Sequence, residues 1–210
     1  MRFYFSLIWG VYLILAFYSH VMKTFLVLFL LLFFHEMAHV LCAMLFHVRV
    51  SEMILTPFGF YATIDHLDYL PKLKKICILL CGLFMHVIYP FVFFLFLKME
   101  LISNNYFDYL VRINNSILLF NLLPIYPLDG ARIIMTLLEL FFSYPFARKL
   151  IQIISVMIWI ICFYMSSLNM KLLFLFLGVL LFLEIKRNPD DLVEYVYTQR
   201  KYLKSLENHV

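Results

Sequence analysis

The sequence predicts an all-α polytopic membrane protein: six transmembrane helices, with a small membrane-associated β-hairpin between the second and third. Three observations carry this reading. Of the 210 residues, 65% are hydrophobic and only 14% are charged, which is more apolar surface than a soluble domain of this size buries. The apolar residues fall in long continuous runs, not in the alternating pattern of a barrel. Lys and Arg are spread unevenly between the segments that join those runs, as the positive-inside rule requires.

The first span is a short apolar run at roughly residues 3–19, with no small-residue cleavage signature, and is read as retained. The second covers roughly 24–46 and the third roughly 73–97. The fourth starts near 106 and is broken by Asn121-Leu122-Leu123-Pro124-Ile125-Tyr126-Pro127-Leu128-Asp129-Gly130. The fifth covers roughly 149–166 and the sixth roughly 171–185. A crossing takes about 20 residues, so the first and sixth are short. Residues 1–185 therefore form a six-span core, and 186–210 a short charged cytoplasmic tail.

With both termini in the cytoplasm, the inner segments hold twelve Lys and Arg, and the outer loops hold Lys23, Lys98 and Lys171. The formal net charge of +4 reads as topology; no basic patch interleaved with aromatics points to nucleic acid as a partner. Cys42, Cys77, Cys81 and Cys162 all lie in apolar segments and read as packing residues. Between the second and third spans, Val48 to Thr56 has strand character. Pro57-Phe58-Gly59 reads as a turn and Phe60 to Ile64 as a returning strand. A strand edge beside an active site holds an extended peptide well, which makes Gly59 a weak candidate for substrate binding.

His35-Glu36-Met37-Ala38-His39 lies inside the apolar second span. His35 and His39 are i and i+4 on a helix, so both imidazoles leave one face a turn apart. Two neutral imidazoles and a nearby carboxylate suit a catalytic zinc, with His35 and His39 as ligands and Glu36 as base. Ionisable residues inside a membrane span point to function, because hydrocarbon penalises them. His39 sits about 10 Å below the cytoplasmic boundary.

A catalytic zinc takes three protein ligands, and Asp129 is the best candidate for the third. It lies in a span broken by Pro124, Pro127 and Gly130, and such breaks occur only inside protein or beside a watery cavity. The alternative is that Asp129 N-caps the helix that follows, with Arg132 as counter-charge. Asn121 and Pro127 are weaker candidates, Asn121 for orienting substrate or an oxyanion and Pro127 for lining the substrate path.

The His35–His39 pentad and the Asn121–Gly130 stretch together resemble the site-2 protease family of intramembrane zinc metalloproteases (peptidase family M50). That family carries HExxH on one membrane helix and N-x-x-P-x-x-P-x-D-G on a later one. Pro57-Phe58-Gly59 and Cys81-Gly82-Leu83-Phe84-Met85-His86 are similar to two weaker family blocks. The resemblance implies one zinc per chain held by His35, His39 and Asp129, water activated by Glu36, and a bacterial cell-membrane location. The layout looks most like the branch that processes a membrane-associated sigma-factor precursor in sporulation under restraint by partner membrane proteins. Ala38, Leu83 and Ala131 depart from the usual family residues, and the tail is too short for that branch's cytoplasmic CBS domain. Two rival readings remain on residues alone: a divalent-cation transporter, or a catalytically inactive membrane scaffold.

Overall fold

The structure, a computed structural model, describes residues 2–5, 22–56, 59–64, 67 and 70–186. Its elements are β1 (Arg2–Phe5), α1 (Met22–Leu45), β2 (Val50–Thr56), β3 (Gly59–Ile64), α2 (Lys72–Lys98), α3 (Asn104–Leu122), α4 (Asp129–Leu138), α5 (Tyr144–Met165) and α6 (Leu168–Lys186). The protein is mostly helical, as expected. Among the described residues, α1, α2 and α5 are long and apolar enough to cross a membrane. The α3 helix falls short because Asn104, Asn105, Asp108, Arg112, Asn114, Asn115 and Asn121 dilute its apolar residues. The expected first span falls partly on β1, and residues 6–21 lie outside those described, as does the tail beyond residue 186.

The chain forms two compact units. The first unit takes residues 1–65 and 76–120, the second residues 66–75 and 121–210.

In the first unit, β2 and β3 pair antiparallel, with Leu55 opposite Phe60 and Val50 opposite Ile64. The register slips between Val50 and Glu52, a bulge at Ser51. The sheet has a third strand that the sequence reading did not contain: β1 runs parallel to β2, with Arg2 opposite Glu52. Its four residues read as the start of an apolar span because four residues carry too little periodicity to separate strand from helix. The sheet order is β1-β2-β3, so β2 is paired on both sides.

Three helices share the apolar core of this unit: Leu31 from α1, Tyr89 and Phe93 from α2, Leu110 and Ile117 from α3. The Tyr89 hydroxyl donates to the Leu31 carbonyl at 2.8 Å. Leu31, His35 and His39 are successive i+4 positions of α1, all buried. The ionisable stripe therefore continues the line of a core leucine rather than facing lipid. α1 ends with His47 at φ 59, where the Val48 amide donates to the Ala43 carbonyl and the His47 amide to the Met44 carbonyl. This left-handed end is the usual way to satisfy the last carbonyls of a helix.

In the second unit, helix stops after Leu122 and resumes at Asp129. Ser155 of α5 serves the broken stretch: its hydroxyl accepts from the Tyr126 amide at 3.1 Å and donates to the Pro124 carbonyl at 3.0 Å. Asn121 lies at the end of α3. Gly130 is required by close approach, since a Cβ there would lie 2.2 Å from the Leu122 carbonyl oxygen. α5 starts at Tyr144, earlier than expected, because Pro145 falls in its first turn, where a missing N–H costs nothing. α5 and α6 meet through Trp159, whose indole N–H donates to the Phe174 carbonyl at 2.6 Å while the ring lies over Gly178.

Ser155→Ala leaves two buried backbone groups without this partner. We expect a loss of about 1–3 kcal/mol in reversible unfolding in detergent. A change below about 0.5 kcal/mol would show that water or another side chain replaces the hydroxyl.

Candidate metal centre

His35 and His39 project from α1 with their Nε2 atoms 3.2 Å apart and their rings edge-on, centroids 4.8 Å apart. One ligand-type atom from each of His35, Glu36 and His39 lies within 4.8 Å of the others. His35 and His39 are 2% and 5% exposed, while Glu36 is half-buried.

One face of α2 holds the imidazoles in place. Ile78, Gly82 and His86 are successive i+4 positions, so they form a stripe along that helix. The His39 Nδ1–H donates to the Ile78 carbonyl at 2.8 Å. A carbonyl only accepts, so the Nδ1 atom carries the proton, and a neutral His39 presents its lone pair at Nε2. Gly82 lies against the imidazoles, where a Cβ would come within 2.2 Å of His39 Nε2 and 2.9 Å of His35 Cε1. At the far end of the stripe, His86 Nε2 is 3.1 Å from His35 Nδ1, and His86 Nδ1 is 2.8 Å from Asn114 Oδ1 of α3.

This donor set fits zinc. Zinc–nitrogen bonds of about 2.0–2.1 Å at tetrahedral angles put two ligand nitrogens about 3.3 Å apart. The two Nε2 atoms already stand 3.2 Å apart. Two imidazole nitrogens with a carboxylate beside them match zinc's preferred ligand chemistry.

The structure thus brings His35, Glu36 and His39 together. Gly59 opens β3, in the same unit, and β3 runs beside α1. Asn121, Pro127 and Asp129 belong to the second unit. Asp129 is the first residue of α4, and Leu128 holds the cap position. Asp129 therefore does not N-cap the helix; as a half-buried carboxylate in the first turn, it benefits from the helix dipole. Pro127 follows a cis peptide bond from Tyr126. Sequence reasoning gave no role to Ile78, Gly82, His86 or Asn114. Gly82 and His86 belong to the Cys81–His86 stretch, and their i+4 spacing from Ile78 was the available signal.

The model of peptidase family M50 matches residues 23–102 and 98–165, more than half of the chain, and the chain belongs to that family. Stage IV sporulation protein FB of Bacillus subtilis is 27% identical over 192 residues, covering 89% of this chain and 66% of that protein. A zinc metalloprotease of Methanocaldococcus jannaschii is 26% identical over 212 residues, covering 95% of this chain and 55% of that protein. The chain thus spans just under two thirds of one relative and just over half of the other. Among solved structures, the site-2 protease from Methanocaldococcus jannaschii shares the fold. Its TM-score is 0.63 at 21% identity, covering 88% of this chain and 89% of that one.

Gly82→Ala puts a methyl group where the His39 ring lies. We expect zinc affinity to fall by about tenfold or more, with helical content unchanged by circular dichroism. Wild-type affinity in this variant would show that Gly82 does not constrain the imidazoles.

Proposed function

We propose that the chain is a zinc-dependent intramembrane endopeptidase. The observation that supports this most is the His35 and His39 Nε2 pair, with Glu36 beside it, on a helix matched by the M50 family. In this reading His35, His39 and Asp129 hold one zinc, and Glu36 stays off the metal as base. Bound there, zinc supplies Lewis acidity, making water nucleophilic near neutral pH and polarising the scissile carbonyl.

The Glu36 carboxylate takes the proton of the attacking water and returns it to the leaving amine nitrogen. The Asn121 amide is the candidate donor to the carbonyl oxygen as charge develops there. A peptide bond inside a helix has its carbonyl engaged, so the substrate must be extended locally before it reacts. Among the described residues β2 is paired on both sides, and of the hairpin strands β3, starting at Gly59, has the side that can receive an extended segment. Pro127 is a further substrate-binding candidate in this reading.

The proposed substrate is a membrane-associated or transmembrane protein cut near the cytoplasmic face of a bacterial cell membrane. The likeness to Stage IV sporulation protein FB extends this to a sigma-factor precursor, with a regulatory membrane protein as restraint and both termini of this multi-pass chain in the cytoplasm. A cation transporter would string its ligands along a path; here the clustered His35, Glu36 and His39 fall within about one turn of α1.

Two measurements on protein reconstituted in vesicles test this. Glu36→Gln should cut cleavage by about 10²–10⁴-fold while about one zinc stays bound per chain, whereas Asp129→Ala should lose zinc and activity together. A Glu36→Gln variant that loses its zinc makes Glu36 a ligand; metal flux without proteolysis makes the chain a transporter. Separately, proline at the alternate positions of β3 whose N–H groups point away from β2 should lower cleavage with zinc content intact. Equal cleavage across that series would remove the sheet from substrate binding.

A further inference from the structure

Pro90 lies inside α2 and has no N–H, so it cannot donate to the carbonyl four residues earlier, which is that of His86. Inside an apolar core that carbonyl needs another donor. The Asn114 side chain supplies it, with Nδ2 donating to the His86 carbonyl at 2.9 Å. This bond fixes which way the Asn114 amide points, because a flipped amide would set two acceptor oxygens against each other.

The orientation then propagates. With Nδ2 committed to the carbonyl, Asn114 Oδ1 faces His86 Nδ1 at 2.8 Å and can only accept, so Nδ1 of His86 carries the proton. A neutral His86 then offers a lone pair at Nε2, 3.1 Å from His35 Nδ1. His35 must donate there, and its own lone pair is left at Nε2, facing that of His39 at 3.2 Å, two acceptors that only a cation between them reconciles. The Ile78 carbonyl sets the same tautomer in His39 from the other side. Asn114, His86, His35 and His39 are all 5% exposed or less, so little water competes with this order.

We propose that Asn114 and His86 are positioning residues that hold His35 in the tautomer with the proton on Nδ1, so that Nε2 is ready for a metal. The inference rests on the metalloprotease reading for the identity of the metal. The geometry gives it a second readout that needs none, the tautomer itself. His86 acts as a neutral relay between an amide and a ligand imidazole, a place more often filled by a carboxylate or a backbone carbonyl.

The test uses the full chain in detergent, stripped of metal and labelled with ¹⁵N at histidine. Wild-type His35 should carry a proton on Nδ1 throughout, with no population lacking it. His86→Leu and Asn114→Leu should each give mixed tautomers at His35 and a zinc dissociation constant raised about 10–100-fold. Asn114→Asp keeps an acceptor for His86 Nδ1 but gives up the amide donor to the His86 carbonyl. It should hold the His35 tautomer and most of the affinity. If Asn114 matters only by covering the carbonyl freed by Pro90, Asn114→Asp will behave like Asn114→Leu, and the proposal falls. His35 without a proton on Nδ1 in the metal-free wild type overturns it without any variant, which covers the case where the leucine variants do not fold. A wild type with the expected tautomer that binds zinc but cleaves nothing supports the relay and overturns the protease reading. A wild type that binds no zinc overturns both.

Discussion

A polar group in an apolar core must find its partner within the protein, and the buried histidines and the broken helix of this chain are both arranged around that requirement. Leaving a buried donor or acceptor unpaired costs about 1–3 kcal/mol, a large share of the stability of a small protein. The first unit meets the requirement by setting one stripe of α1 against one stripe of α2. Leu31, His35 and His39 run along the first, and Ile78, Gly82 and His86 along the second. Two imidazole side chains on α1 are answered by one carbonyl and one imidazole on α2. The missing Cβ of Gly82 leaves room for the rings between those contacts. The same contacts that satisfy the histidines also aim them.

The second unit meets the same requirement with backbone rather than side chains. Between Leu122 and Asp129 the helical hydrogen bonds stop. Pro124 and Pro127 cannot donate, so the acceptors around them outnumber the donors. Ser155 bridges the break because a hydroxyl gives and takes at once, serving the Pro124 carbonyl and the Tyr126 amide. Gly130 then lets the first turn of α4 press against the Leu122 carbonyl. Asp129 follows from this geometry: a carboxylate at the start of a helix, at a break held by a neighbouring helix.

The helices and the grouping of His35, Glu36 and His39 were legible because each follows from local pattern. Apolar runs longer than 18 residues mark α1 and α2 whatever they pack against, and the i, i+4 spacing of His35 and His39 fixes a shared face on any helix. The hairpin was legible from its β-branched and aromatic strands around Pro57 and Gly59. β1 was not, because its identity depends on pairing with β2, some fifty residues away. Asn114 and Ser155 were hidden for the same reason, since their partners lie on other helices. His86 and Pro90 did carry a local signal: a proline four residues after a polar residue frees that residue's carbonyl. The sequence therefore announces that a donor is needed there, without saying which residue provides it.

That proline also changes what Asn114 is able to do. In an unbroken helix the His86 carbonyl would be occupied by its i+4 amide, and an asparagine beside it would be free to present either end to the imidazole. Either tautomer of His86 would then be stable, and through it either tautomer of His35. With Pro90 in place, one end of the amide is committed and the ambiguity is removed at its source. A backbone defect usually counted as a cost of about 3 kcal/mol in a helix becomes the fixed point from which hydrogen-bond direction is set as far as the His35 Nε2 lone pair. Zinc needs neutral imidazoles with their lone pairs already turned inward, and any tautomer population pointing the other way lowers its apparent affinity in proportion. Order imposed by the backbone of α2 thus reaches the face of α1 that carries His35 and His39.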